Sequence, residues 1–159
     1  MNLERFTQKA QEALVDAQQI TQGFDQQNIE PAHLLLALLQ QEEGVVPAVV
    51  TRVAGGVDAL RNDLTQDLQS RPRVYGGNMQ VGLSRPASDV LAAAERYARG
   101  MQDEYVSTEH ILLGLTDSSE SRRMERYGLN KDAILRALAS VRGSQRVTSQ
   151  NPEETYQAL

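Results

Sequence analysis

The chain of 159 residues contains no cysteine and no tryptophan, and aromatic residues make up only 4% of it. Without cysteine there can be no disulfide scaffold, thiolate metal site or thiol nucleophile, and the composition suits a reducing compartment such as the cytoplasm. So few aromatic side chains argue against a tightly anchored protein interface and in favour of weak, tolerant binding. No apolar run approaches the roughly 20 residues that a membrane-spanning helix needs, and Met1 to Phe6 leads straight into a polar helix, so neither secretion nor insertion is expected. The net charge of -5 offers no electrostatic attraction to nucleic acid or to anionic lipid. Phosphate-binding glycine loops, H-E-x-x-H and G-x-S-x-G are all missing, which removes the usual signatures of nucleotide, zinc-protease and hydrolase chemistry.

What the sequence does contain is a repeat. Adding 77 to positions in the first half lands on matching residues in the second: Ala10 on Ala87, Leu14 on Leu91, Ala17 on Ala94, Gly23 on Gly100 and His33 on His110. After Leu115 the offset falls to 74, so that Leu60 meets Ile134 and Leu64 meets Leu138. Each copy reads as four helices, which makes the fold class all-α with eight helices in two pseudo-twofold-related repeats. The first helix starts after a hydroxyl cap, Thr7 or Ser84, and ends near Gly23 or Gly100. The second, around Leu34 to Leu39 or Ile111 to Leu115, is apolar nearly all round and should be the core of its repeat. Pro31 follows Glu30 at the first helical position, and Ser107 plays the capping part in copy two. The third helices are placed at Val46 to Val53 and Glu120 to Tyr127. The fourth are placed at Val57 to Gln69 and Lys131 to Arg142, the latter capped by Asn130. Repeat one thus covers about 4–70 and repeat two about 83–143, within a domain of 1–145. Between them, 71–82 is rich in turn formers and reads as an exposed linker. Asn151-Pro152-Glu153-Glu154 has the cap, proline and acidic first turn of a further helix, so 146–159 reads as a second linker and the start of a following domain.

His33 and His110 occupy equivalent positions. A matched pair invites a metal site, or an enzyme built on one of them, but the plainer reading is local hydrogen bonding in the first turn of each second helix. The carboxylates Asp103, Glu104 and Glu109 read as complements to a helix dipole rather than as acid–base catalysts. The seam between two helical copies can leave a groove, and Val90, Leu91 and Tyr97 are candidates to line it, the alternative being that they are core.

These residues resemble the Clp N-terminal repeat domain of Hsp100-type AAA+ proteins. The carriers are Phe6-Thr7 with Ala10 and Ala17, the stretch Ile29-Glu30-Pro31-Ala32-His33-Leu34-Leu35-Leu36-Ala37-Leu38, and Val106-Ser107-Thr108-Glu109-His110-Ile111-Leu112-Leu113-Gly114-Leu115. The tail from Val147 to Leu159 is similar to the ClpB-type subfamily, where it leads into the first ATPase domain. The resemblance implies a linker to two ATPase domains, a hexameric ring using ATP and magnesium, and cooperation with DnaK-family chaperones in freeing polypeptides from aggregates. The fragment itself then needs no cofactor and no metal, performs no catalysis, and is monomeric in isolation. Its partners are unfolded or aggregated polypeptides. By the same resemblance, Thr7, Asp103 and Glu109 contact clients, and Leu91, Ala93 and His110 fall in a groove, the last two where some relatives carry leucine. Asp103 and Glu109 are then expected to form an acidic margin, and Leu91→Asp is expected to weaken client binding without affecting melting. The rival reading is a domain that docks folded adaptors, as in ClpC- and ClpA-type unfoldases that serve a protease.

Overall fold

Thr7 Oγ1 accepts the Ala10 N–H at 3.1 Å, and α1 (Gln8–Gly23) begins there. Seventy-seven residues on, Ser84 Oγ accepts the Ala87 N–H at the same 3.1 Å and starts α5 (Arg85–Gly100). A hydroxyl that satisfies one of the orphan donors of the first turn fixes both starting points. The computed structural model describes residues 3–75, 80–143 and 145–152. Among them are eight α-helices, the others being α2 (Pro31–Gln40), α3 (Val45–Ala54), α4 (Asp58–Ser70), α6 (Thr108–Leu115), α7 (Ser121–Arg126) and α8 (Lys131–Arg142). This is the all-helical, duplicated fold expected from the repeat. The second helices extend furthest beyond the apolar stretches that marked them, each starting three residues earlier, and the third helices lie within one residue of expectation at each end.

The two repeats are woven together rather than merely stacked. The short strand β1 (Asn28–Ile29), between α1 and α2, pairs in parallel with β2 (Gly82–Leu83), which enters α5. Its counterpart between α5 and α6, at Val106, pairs with Phe6, which enters α1. The flanking bonds match as well: Ser84 N–H donates to the Ile29 carbonyl at 3.0 Å, and Thr7 N–H donates to the Val106 carbonyl at 2.9 Å. Each repeat thus lends its entry segment to the other, an arrangement that follows from an approximate twofold relation. Helix packing crosses in the same way, with α3 of repeat one lying on α8 of repeat two. From α7, Arg123 is ion-paired with Asp63 and Asp67 on α4.

The core is one cluster shared by both repeats. Leu34, Leu35, Leu36, Leu38 and Leu39 on α2, and Ile111, Leu112, Leu113 and Leu115 on α6, are all buried in it. Gly114 stands where repeat one has Ala37, and it marks a close approach of α6 to α5. A Cβ there would lie 2.6 Å from the Val90 carbonyl oxygen on α5. No single helix among the described residues is long and apolar enough to cross a membrane.

Residues 71–75 and 80–82 are largely exposed, yet Val74 N–H donates to the Asp25 carbonyl at 2.7 Å, and Gly82 belongs to β2, so that 71–82 is fastened at both ends. Gly76–Met79, in its middle, lies outside the described residues. At the far end Pro152 is helical after exposed Asn151, and Glu153 and Glu154 of the expected helix start lie outside the described residues.

Candidate functional site

The two histidines form matched nodes. Each Nδ1 accepts the backbone N–H of the residue before its helix, Glu30 for His33 at 2.9 Å and Ser107 for His110 at 2.8 Å. Histidine thereby fills the reciprocal position of a capping box that Glu or Gln more often takes. An Nδ1 that accepts must be unprotonated, so in the neutral ring the proton sits on Nε2, which donates seven residues back. His33 Nε2 meets Gln26 Oε1 at 2.7 Å, and His110 Nε2 meets Asp103 Oδ2 at 2.7 Å. Both nitrogens of each ring are engaged, and no cluster of three or more His, Asp or Glu suited to a metal occurs among the described residues.

Burial, with help from the nearby Arg71 guanidinium, pushes the His33 imidazole down to about 4 from an ordinary 6.5. Between those values the unfolded chain binds a proton that the folded chain refuses, so this contribution to stability is complete above pH 6.5 and shrinks as pH falls. At pH 5 the loss should be about 1–2 kcal/mol, a few degrees in Tm. Thermal melts at pH 7 and pH 5 check this, because a His33→Gln variant should lack that share of the slope.

The partners beyond the histidines diverge between the repeats. Gln26 donates onward to the Leu68 carbonyl at 2.6 Å, near the end of α4. In repeat two the corresponding residues are Asp103 and Arg142, joined by an ion pair of 2.7 Å. Glu109, opposite Ala32, adds a second carboxylate at 3.4 Å from Arg142 and accepts a short hydrogen bond from the Ser107 hydroxyl. Burial alone would raise the Asp103 carboxyl. Hydrogen bonds from His110, Arg142 and the Val147 N–H, together with the Arg142 charge, outweigh that and hold it down to about 2.

These positions correct the surface assigned to them from the sequence. Asp103 and Glu109 are not an exposed acidic margin: they are 7% and 0% exposed, because the guanidinium of Arg142 brings both inside. His110 and Thr7 are likewise fully buried, one as a capping and bridging ring, the other as the cap of α1. Leu91 is fully buried in the shared core.

A shallow cleft of about 280 Å³ does exist one step around α5. Asp89, Val90, Ala93 and Arg96 on α5 form one wall, and Gly114, Asp117, Ser118 and Ser119 form the other. Val90 and Ala93, which the sequence reading offered as groove residues, line this cleft, and both are nearly covered. Half-buried Tyr97 adjoins the cleft, its hydroxyl donating to Asp117 at 2.7 Å and its ring lying 5.0 Å from the Lys131 ammonium. Asp89, Arg96 and Asp117 are at least partly exposed and carry both signs of charge. Sequence reasoning missed these three, and Arg142 and Val147 as well. The one available signal was that the exposed side of α5 next to Val90 alternates charge.

A pseudo-twofold pair of four-helix repeats with exchanged entry strands is the architecture of a Clp-type N-terminal domain. The Clp repeat (R) N-terminal domain family matches residues 5–127, and the chain belongs to it. Over its whole length it is 40% identical to the chaperone protein ClpB of Nitratidesulfovibrio vulgaris, of which the alignment covers 19%. The ClpB of Mycobacterium leprae is 39% identical over 96% of this chain and 18% of its own length. The chain thus spans about a fifth of these relatives. The solved N-terminal domain of Hsp104 from Candida albicans shares the fold, with a TM-score of 0.80 at 22% identity, covering 93% of this chain and 98% of that one.

Proposed function

We propose that this domain holds unfolded or aggregated polypeptide weakly for an Hsp100 ATPase ring, with the α5 cleft as the contact. The observation that carries this reading is the cleft itself. Its apolar floor at Val90, Ala93 and Gly114 is set between accessible charges of both signs, which suits segments of varied sequence at little affinity for each contact. Several copies on one ring would multiply such weak contacts. In the longer protein, ATP and magnesium belong to the ATPase domains, a DnaK-family system works alongside, and the setting is the cytoplasm. The domain's own part is binding without catalysis.

Ser119 is exposed on the rim, and a tryptophan there fills the cleft. Ser119→Trp is expected to weaken binding of reduced, carboxymethylated lactalbumin several-fold. Tm should stay within the small change typical of a surface substitution. Chemical-shift mapping with the same client should perturb Asp89, Arg96 and Ser119. Equal binding by the variant, or shifts confined to another face, overturns the cleft. Binding of folded adaptors in preference to the denatured client overturns the client assignment.

A further inference from the structure

Beyond α8, the chain is tied down at Gln145, Val147 and Gln150. Val147 is fully buried. Its N–H donates to Asp103 Oδ1 at 2.8 Å, and its carbonyl accepts the N–H groups of Glu104 at 2.8 Å and Tyr105 at 3.3 Å. Three residues on, the Gln150 carbonyl accepts the Gln8 N–H at 2.9 Å, and the Gln150 side chain donates to the Glu4 carbonyl at 3.0 Å. Arg142 closes the near end, donating from one nitrogen to Asp103 at 2.7 Å and to the Gln145 carbonyl at 2.9 Å. The segment therefore lies across the Asp103 turn and the first residue of α1.

Repeat one supplies an internal comparison. Where Asp103 and Arg142 stand in repeat two, it has neutral Gln26 and Leu68, and its own segment after α4 carries Val74 at 41% exposure instead of a buried valine. Both segments are fastened, that of repeat one by the Val74 N–H to the Asp25 carbonyl at 2.7 Å, but in repeat two the fastening runs through a buried carboxylate and seats a fully buried valine. The buried carboxylate and guanidinium are dispensable to the helical scaffold of the other repeat.

The geometry points to a strap: Asp103, held by His110 and Arg142, is a positioning residue that fastens Gln145–Gln150 to the helical body and fixes the chain's course past the start of α1. The Asp103 carboxylate is buried and takes the Val147 N–H, so a change at Asp103 acts through the strap and through whatever the strap orients. The inference is independent of client binding in the α5 cleft.

Amide hydrogen exchange on the 159-residue chain reads the strap directly. Gln8 is the first residue of α1 and has no partner inside its own helix, so its protection depends on Gln150; that of Val147 depends on Asp103. Val147→Asp puts a carboxylate into a fully buried position of the strap, and Asp103→Ala removes the anchor. Each should speed exchange at Gln8 and at position 147 about tenfold or more while the core amides of α2 and α6 keep their rates. Ala10, which is held by Thr7, should also be unchanged. Asp103→Asn keeps an oxygen for Val147 but turns a donor toward His110, and should fall between. Uniform acceleration of every helix in a folded Asp103→Ala makes Asp103 a general core element and overturns the strap. Val147→Asp leaves Asp103, His110 and Arg142 in place, so it decides the matter even where Asp103→Ala does not fold: a Gln8 amide still protected in it overturns the proposal. Open-chain exchange at Gln8 and Val147 in the unaltered protein does the same.

Discussion

Leu91→Asp is expected to unfold the domain, whereas Ala92→Asp, one residue along, should melt like the unaltered chain. Leu91 is fully buried on the face of α5 that packs against α6, in the cluster that both repeats share. An aspartate there loses the transfer energy of the leucine and places a carboxyl among aliphatic groups with no donor facing it. The combined penalty should exceed about 4 kcal/mol, a large share of the roughly 5–15 kcal/mol that holds a domain together. Ala92 is exposed, and one residue of a helix turns the side chain by about 100°, so the same charge there stays in water. Circular dichroism in urea separates the two. A folded Leu91→Asp with the urea midpoint of the unaltered chain would mean that the side chain reaches solvent, which would restore it to a groove. The sequence reading expected melting to survive this substitution, so the experiment also decides between the two placements.

That difference shows where sequence periodicity stops. The spacing of Ala87, Val90, Leu91, Ala94 and Tyr97 identifies the apolar stripe of α5, and all but half-buried Tyr97 are buried. Periodicity also placed α8 at Lys131–Arg142, as observed, because Asn130 accepts the Ala133 N–H at 2.9 Å and gives the helix a sharp start. It does not say whether a stripe meets another helix or a ligand, since both demands favour the same residues. The cleft of about 280 Å³ lies at one edge of that stripe, at Val90 and Ala93. It depends on how closely α6 approaches, and hence on Gly114. The buried charges were illegible for another reason. Asp103 and Glu109 sit close to a helix start, where an exposed carboxylate is commonplace, and the cation that brings Asp103 inside lies 39 residues away. One signal was present in the repeat: Gln26, Ala32 and Leu68 align with Asp103, Glu109 and Arg142, three neutral positions replaced together by charged ones.

That substitution pattern leads to the second large effect. Arg142→Leu alone should destabilise the domain by about 3–5 kcal/mol, because it strands two buried carboxylates without their cation. Asp103 keeps its bonds from His110 and Val147, and Glu109 keeps that from Ser107, but neither set carries the guanidinium charge. The triple variant Asp103→Gln, Glu109→Ala, Arg142→Leu rebuilds in repeat two the neutral arrangement of repeat one, in which a glutamine bridges the histidine and the end of the fourth helix. Its stability in urea should return to within about 1 kcal/mol of the unaltered chain, since a well-packed neutral set often replaces a buried ionic one at little cost. A triple variant as unstable as Arg142→Leu would show that the ions contribute net stability to the scaffold. The stable triple variant should nonetheless have lost the strap, because the introduced glutamine would turn its amide donor to the end of α8 and no anion would remain to anchor Val147. Rapid exchange at Gln8 in a domain of undiminished stability would separate what the ionic cluster does for the chain that follows α8 from what it does for the fold.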